Sequence, residues 1–236
     1  MSARIAASIP RHAELALAGE AALCDPSGAL FFPGLSLLAV SDLHLEKGAA
    51  FARRGVMLPP YDTAATLARL AMVLETYRPR IVVSLGDSFH DRLGAAHLPP
   101  VYRDAICALT AGRDWYWIAG NHDPDAPVGL AGSAVDELCV GGLTFRHEPS
   151  LRPCAGEIAG HLHPGARLVR QGRSVRRRCF ASDGERLVMP AFGAFTGMLN
   201  VLDRAYAGLF GANRLMAYML GADRVYPIDG TMLSRG

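Results

Sequence analysis

The chain lacks the marks of export, membrane insertion and disulfide scaffolding. No stretch approaches the roughly 18 consecutive apolar residues that a membrane span needs, and the N-terminus lacks the charged-then-apolar layout of a signal peptide. We therefore expect a cytoplasmic protein with no membrane partner. Its five cysteines (Cys24, Cys107, Cys139, Cys154, Cys179) are scattered, with no C-x-x-C pair. That excludes a zinc knuckle and argues for reduced thiols. Only 19% of the residues are charged and 50% are hydrophobic, so the chain can bury a large core and is not a disordered one. The net charge of +2 sets no global attraction for polyanions, so any such surface must be local. Helix-turn-helix and zinc-finger signatures, internal repeats, low-complexity tracts and linkers are all missing. We read residues 1–236 as one domain.

Apolar periodicity then orders the chain. Residues 1–15, alanine-rich with Pro10, read as a loose lead-in. Runs at 15–25 and 29–32 flank Asp25-Pro26-Ser27-Gly28, a turn sequence, and predict a hairpin. A strand at 35–41 follows, then a polar loop holding Glu46, Lys47, Gly48 and Phe51 to Gly55. Pro59-Pro60-Tyr61-Asp62 announces a helix with Asp62 as its N-cap, and Leu67, Leu70, Ala71, Leu74 and Tyr77 keep helical spacing until Pro79. Apolar strands at 81–85 and 115–119 bracket a second helix at 101–111. This alternation predicts layered α/β structure, with helices covering a sheet. Beyond it, short runs at 138–140, 143–147, 158–160, 167–169 and 187–189 predict a second, more antiparallel sheet, and 214–219 with 224–228 a closing hairpin.

The chemistry gathers where predicted strands end. Asp42-Leu43-His44 follows an apolar run, and two residues apart on an extended chain point to one side. Gly86-Asp87, Gly120-Asn121-His122-Asp123 and Gly160-His161-Leu162-His163 repeat the design, and the strand at 143–147 ends in His147. A lone histidine on an apolar strand is commonly a hydrogen-bonded core residue, and a lone Gly-Asp a turn. Their joint appearance, each at a strand end, is what indicates a metal site. Carboxylate, amide oxygen and imidazole without thiolate suit Mn²⁺, Fe or Zn²⁺. Seven such ligands exceed the needs of one ion, and two ions could share Asp87.

This order of motifs resembles the calcineurin-like binuclear metallophosphoesterases over residues 36–165. The resemblance implies their fold, a four-layer α/β/β/α sandwich with the metal site at the C-terminal ends of the strands. It implies two divalent ions, Mn²⁺ first and Fe or Zn²⁺ as alternatives. Asp42, His44, Asp87 and His163 would hold one ion; Asp87, Asn121, His147 and His161 would hold the other. His122 would be catalytic and not a ligand, standing over the phosphoryl group as general acid or charge stabiliser, with Asp123 fixing its tautomer and orientation. Asp42 to Lys47, Arg54 to Thr63, Gly86-Asp87-Ser88-Phe89-His90-Asp91 and Pro190-Ala191-Phe192-Gly193 look like a narrower group, the bacterial DNA-ligase-associated metallophosphoesterases. That resemblance implies a Mn²⁺-dependent DNA phosphodiesterase or endonuclease, acting in repair alongside an ATP-dependent DNA ligase, a helicase and an exonuclease. Single-stranded or flapped DNA is the expected partner.

His90 stands three after Asp87, where many relatives carry Asp or Arg. We take it as a cleft residue contacting substrate, against a locally hydrogen-bonded alternative. The cationic segment Arg167, Arg170, Arg173, Arg176, Arg177 and Arg178 is either a solvated face or a phosphate grip, with Arg176 and Arg177 its candidate contacts. Arg53 and Arg54 are candidates for the same task. Phe51, Tyr61 and Phe89 are either base-stacking residues or loop anchors. Two rival functions stay open: the same chemistry on a nucleotide-lipid pyrophosphate or phosphomonoester, and a non-catalytic scaffold of the same fold.

Overall fold

The computed structural model describes residues 11–53, 55–56 and 61–235. The lead-in before Arg11, Arg54 and the Pro59-Pro60 pair lie outside the described residues. Along the chain run β1 (Ala13–Leu17), β2 (Glu20–Cys24), β3 (Leu30–Phe32), β4 (Leu37–Val40), α1 (Lys47–Arg53), α2 (Asp62–Tyr77), β5 (Ile81–Leu85), α3 (Pro100–Thr110), β6 (Asp114–Ile118) and β7 (Ser133–Val135). These seven strands form one sheet in sequence order. Strands β1 to β4 pair antiparallel, whereas β4, β5, β6 and β7 run parallel. Parallel strands place their C-terminal ends on one edge, and the α/β half offers that edge for a site.

A second sheet of nine strands follows. It contains β8 (Glu137–Val140), β9 (Leu143–Arg146), β10 (Glu157–Ala159), β11 (Pro164–Arg170), β12 (Arg173–Ser182), β13 (Arg186–Val188), β14 (Leu199–Asn200), β15 (Met216–Leu220) and β16 (Val225–Asp229). The sheet is mixed. Strand β10 runs parallel to both β9 and β13, and the long β11–β12 and β15–β16 pairs are antiparallel.

Three apolar layers hold these parts together. Leu17, Phe32, Leu37, Val83, Phe145, Ile158 and Phe180 fill the space between the sheets, with Phe32 and Phe145 edge to face at 6.0 Å. Each buried side chain of this size contributes about 2 kcal/mol relative to exposure. Leu67, Leu70 and Leu74 of α2 and Ile106 of α3 cover Val40, Val82 and Trp117 on the outer face of the first sheet. The outer face of the second sheet is covered by Val201, Tyr206 and Leu209. The chain there makes only a 3-10 turn (Arg204–Tyr206) among the described residues, so this fourth layer is irregular. Among the described residues, no helix is long and apolar enough to cross a membrane.

The run at 15–25 is two strands, not one. Ala18 and Gly19 both take positive φ (49° and 84°), closing a two-residue hairpin inside it. The expected loop after His44 contains α1. Asp62 does not cap its own helix: Tyr61 is the α2 N-cap, and the Asp62 carboxylate accepts the Gly48 N–H of α1 at 3.0 Å. The cationic segment is the β11–β12 hairpin, with Arg167 and Arg170 on β11 and the other four arginines on β12, turned by Gln171 and Gly172, both at positive φ.

Candidate metal centre

Strands β4, β5, β6, β9 and β10 deliver the polar loops to one end of the sandwich. Asp42 and His44 do not reach it by strand alternation. Both are left-handed (φ 53° and 44°), as are Asp87 (46°), His161 (66°) and His163 (47°). Left-handed backbone at non-glycine residues is costly, and its concentration here marks a functional constraint. At Gly86 a Cβ would fall 2.4 Å from His147 Nδ1, and at Gly160 one would fall 1.9 Å from Ser41 Oγ. The loops close on one another because those two positions are bare.

Two donor clusters result. Asp42, His44 and His163 form the first, and Asp87, His147 and His161 the second; within each, the ligand atoms lie within 4.8 Å of one another. In the first, His163 Nε2 is 3.2 Å from Asp42 Oδ1 and 3.4 Å from His44 Nε2. In the second, Asn121 Oδ1 lies 2.9 Å from both His147 Nε2 and His161 Nδ1. Asp87 spans the two, with Oδ1 3.5 Å from His147 Nε2 and Oδ2 3.8 Å from His44 Nε2. The seven expected ligands are thus brought together, with Asp87 between the two groups.

The donor set fits a cation. His147 Nδ1–H donates to the Leu85 carbonyl at 2.8 Å, so in the neutral ring Nε2 carries a lone pair. That lone pair faces Asn121 Oδ1 and, at 3.2 Å, His161 Nδ1. Asn121 Oδ1, the His147 lone pair and a ring nitrogen of His161 thus converge on one point, as the ligand atoms of a cation do. Burial pushes His44 down to about 3, helped by neighbouring imidazoles and opposed by Asp42. Burial and then His147 lower His161 as well. Both rings are thereby kept neutral and able to ligate. Burial would raise Asp42, but the hydrogen bond and charge of His163, with His147 and Ser41, hold it below the usual carboxylate range.

His122 stands at the mouth. Its main-chain N–H donates to Asp87 Oδ1 at 2.9 Å, and its Nε2 lies 3.9 Å from Asp87 Oδ2. Asp123 does not fix its tautomer. His122 Nδ1 pairs with the His90 carbonyl at 3.1 Å, while Asp123 Oδ2 accepts the Phe89 N–H at 3.0 Å. Burial, with Asp87 nearby, pushes Asp123 up to about 7 against the main-chain donors that hold it. The carboxylate braces the Ser88-Phe89 turn instead of steering the imidazole. His90 is in the cleft, its ring stacked on His122 at 5.5 Å and edge-on to His44 at 5.6 Å.

The other expected contacts divide. Arg53 is tied to Asp91 at 2.6 Å, and Arg54 lies outside the described residues. Arg176 and Arg177 cannot both address one substrate, because adjacent strand residues face opposite sides. Arg176 donates to the Met198 carbonyl at 3.0 Å, whereas Arg177 lines an apolar recess with Val175 and Tyr226. Phe89 is a core residue, Tyr61 is exposed, and Phe51 packs 5.5 Å from His90. The main-chain carbonyls of Leu85 and His90, which orient His147 and His122, were beyond sequence reasoning because no side chain announces them.

A family profile described as calcineurin-like phosphoesterase matches residues 35–167, more than half of the chain. The protein belongs to that family. It is a metal-dependent phosphoesterase, a hydrolase whose fold implies divalent ions, and the two donor clusters are its candidate binding groups. Among solved structures, the chain is similar to the crystal structure of Pseudomonas putida nuclease MPE. Identity is 28% and the TM-score 0.70, covering 92% of this chain and 100% of the other. A likeness to the Escherichia coli phosphoesterase YfcE is weaker, at 13% identity and a TM-score of 0.40 over 82% of this chain and 98% of the other, and carries no argument. A comparison with curated proteins returns no match.

Proposed function

We propose that the protein is a binuclear phosphodiesterase that hydrolyses DNA phosphodiester bonds, in single-stranded or flapped substrates, as part of a repair pathway. The observation that carries this reading is the position of Asp87, one oxygen turned toward each donor cluster. The likeness to a protein described as a nuclease supports the choice of DNA. We place Mn²⁺ first among ions because the donors are oxygen and imidazole without thiolate.

Asp42, His44, Asp87 and His163 would hold one ion, and Asp87, Asn121, His147 and His161 the other. Bound there, the pair supplies Lewis acidity toward phosphoryl oxygens and lowers the pKa of a water. The chain's own contribution begins with orientation. The Leu85 carbonyl fixes the His147 ring, and Ser41 with the His161 N–H fixes the Asp42 carboxylate. His122 then handles the leaving group. With Nδ1–H held by the His90 carbonyl, its imidazolium presents the Nε2 proton toward the space between the clusters, where it can pass to the departing sugar oxygen.

Purified protein with Mn²⁺ should cleave a single-stranded oligonucleotide and leave a nucleotide-diphosphate lipid intact; the reverse result would move the site to the small-substrate reading. His122→Ala should lower turnover about 10²- to 10⁴-fold with both ions retained, and unchanged turnover would remove its role. Cooperation with a ligase, helicase and exonuclease is part of the proposal, and the chemistry of the product ends tests it. Ends that an ATP-dependent ligase can seal are expected.

A further inference from the structure

The Pro190-Ala191-Phe192-Gly193 motif has no part in the chemistry above, yet the segment that follows it is fastened to the site at both ends. The Gly193 N–H donates to the Asp42 carbonyl at 3.1 Å, and the Leu199 N–H donates to the His163 carbonyl at 2.9 Å. Residues 193–199 therefore bridge two residues of the first donor cluster. Between these feet, Phe195 is 39% exposed. Its place on a bridge fastened to two residues of the donor cluster keeps a partly exposed aromatic ring beside the polar site, where an unpaired base can stack on it.

Cations are fastened to the bridge. Lys47 Nζ donates to the Phe195 carbonyl at 2.9 Å, and Arg176 Nη2 donates to the Met198 carbonyl at 3.0 Å. Their partners are main-chain carbonyls, so the positive charge of each is not cancelled, and spare N–H donors remain. The opposite rim carries the other sign. The recess beside the second cluster is lined by Asp136, Glu137 and Glu148, and its one arginine, Arg146, is taken by Glu137 and Glu157. A polyanion crossing the metal centre is drawn over the 193–199 bridge and repelled from the far side.

We propose that this bridge is a platform for single-stranded DNA on one side of the scissile phosphate, with Phe195 stacking on an unpaired base and Lys47 and Arg176 holding the adjoining phosphates. The inference rests on the phosphodiesterase reading above and adds a direction to it: the strand is gripped on the Asp42 side and left ungripped on the Asp136 side. Stacking tolerates any base, so the platform confers preference for unpaired strands without sequence preference.

Fluorescence anisotropy with a fluorescein-labelled oligo(dT), in EDTA to prevent cleavage, tests it. Phe195→Leu should weaken binding about tenfold without changing the dependence on salt, and Phe195→Trp should restore it. Arg176→Ala should weaken binding and reduce the slope of log K against log salt by about 0.7, the loss of one phosphate contact to a single strand. The wild-type protein should bind an abasic oligonucleotide as weakly as Phe195→Leu binds oligo(dT), and a duplex of equal length less well than the single strand. If Phe195→Leu binds oligo(dT) like wild type, or the duplex binds as tightly as the single strand, the platform is overturned. Should wild type still cut DNA with Mn²⁺ in that case, the phosphodiesterase reading survives alone. A wild-type protein that neither binds nor cuts DNA would overturn both.

Discussion

The two halves of the metal centre are built on opposite plans. Around Asp42 and His163 the support is mostly main chain: the 193–199 bridge fastens to the carbonyls of both residues, and the Asp42 carboxylate accepts the His161 N–H at 3.1 Å beside the Ser41 hydroxyl. Around His147 and His161 the support comes through side chains, with the exposed Asn121 amide touching both imidazoles and the ring of His147 anchored to one carbonyl. The first half is bridged by residues 193–199, whose carbonyls hold Lys47 and Arg176. The second opens onto an acidic recess. On the proposed reading, the substrate is gripped on the first side, and water enters and product leaves on the second. Asp87 belongs to both, so the halves fall together or apart according to which residue is removed.

Removing the shared residue should have the largest effect. Asp87→Asn is expected to abolish uptake of both ions, measured as metal per chain after dialysis, and to lower turnover of a simple phosphodiester by about 10³-fold or more. His163→Ala and His161→Ala should instead each leave about one equivalent of metal bound. Equal losses in all three variants would mean that the clusters are a single site.

A scaffold residue away from the metals provides the counter-test. Glu157 and Arg186 are buried 3.3 Å apart, and Arg186 also donates to the carbonyls of Ser150 and Arg152. Arg186→Met leaves the buried Glu157 only the longer Arg146 contact and the Ser150 N–H and should cost about 3 kcal/mol in denaturant unfolding, with metal content per folded chain unchanged. Gly86→Ala is expected to cost less, about 2 kcal/mol, but to act on the second cluster. Its new methyl group must displace the His147 ring, and φ at this position is +74°. Calorimetric titration with Mn²⁺ should show one of the two binding events lost. An unaltered titration would mean that the ring can yield without losing its ligand geometry.

The site was more legible than the parts that hold it. Each ligand lies within four residues of the C-terminal end of a strand, so hydrophobic runs and motif order placed them without any knowledge of pairing. What escaped were features made by distant partners. Helix α1 shows no apolar periodicity. Its first turn is held from 14 residues away by the Asp62 carboxylate, and Glu46, just before it, donates its N–H to Thr63 Oγ1. Strand β12 was hidden by its arginines, although Gly172 between the apolar pair Leu168 and Val175 was a hairpin signal. Asp123 was misassigned for a related reason. Its neighbour in sequence is His122, but the turn that carries both directs its carboxylate to the Phe89 N–H.

The smallest expected effect probes the acidic side directly. Asp136 is exposed and borders the recess beside the second cluster. Neutralising it should relieve repulsion on a bound strand by the few tenths of a kcal/mol typical of a solvated charge, so Asp136→Asn should tighten oligo(dT) binding about twofold at low salt. The gain should vanish in concentrated salt, where the Debye length shrinks to about 3 Å. Arg176→Ala must move the affinity the other way under the same conditions. If both substitutions weaken binding, the strand runs across both rims, and the division of labour between the two halves is wrong.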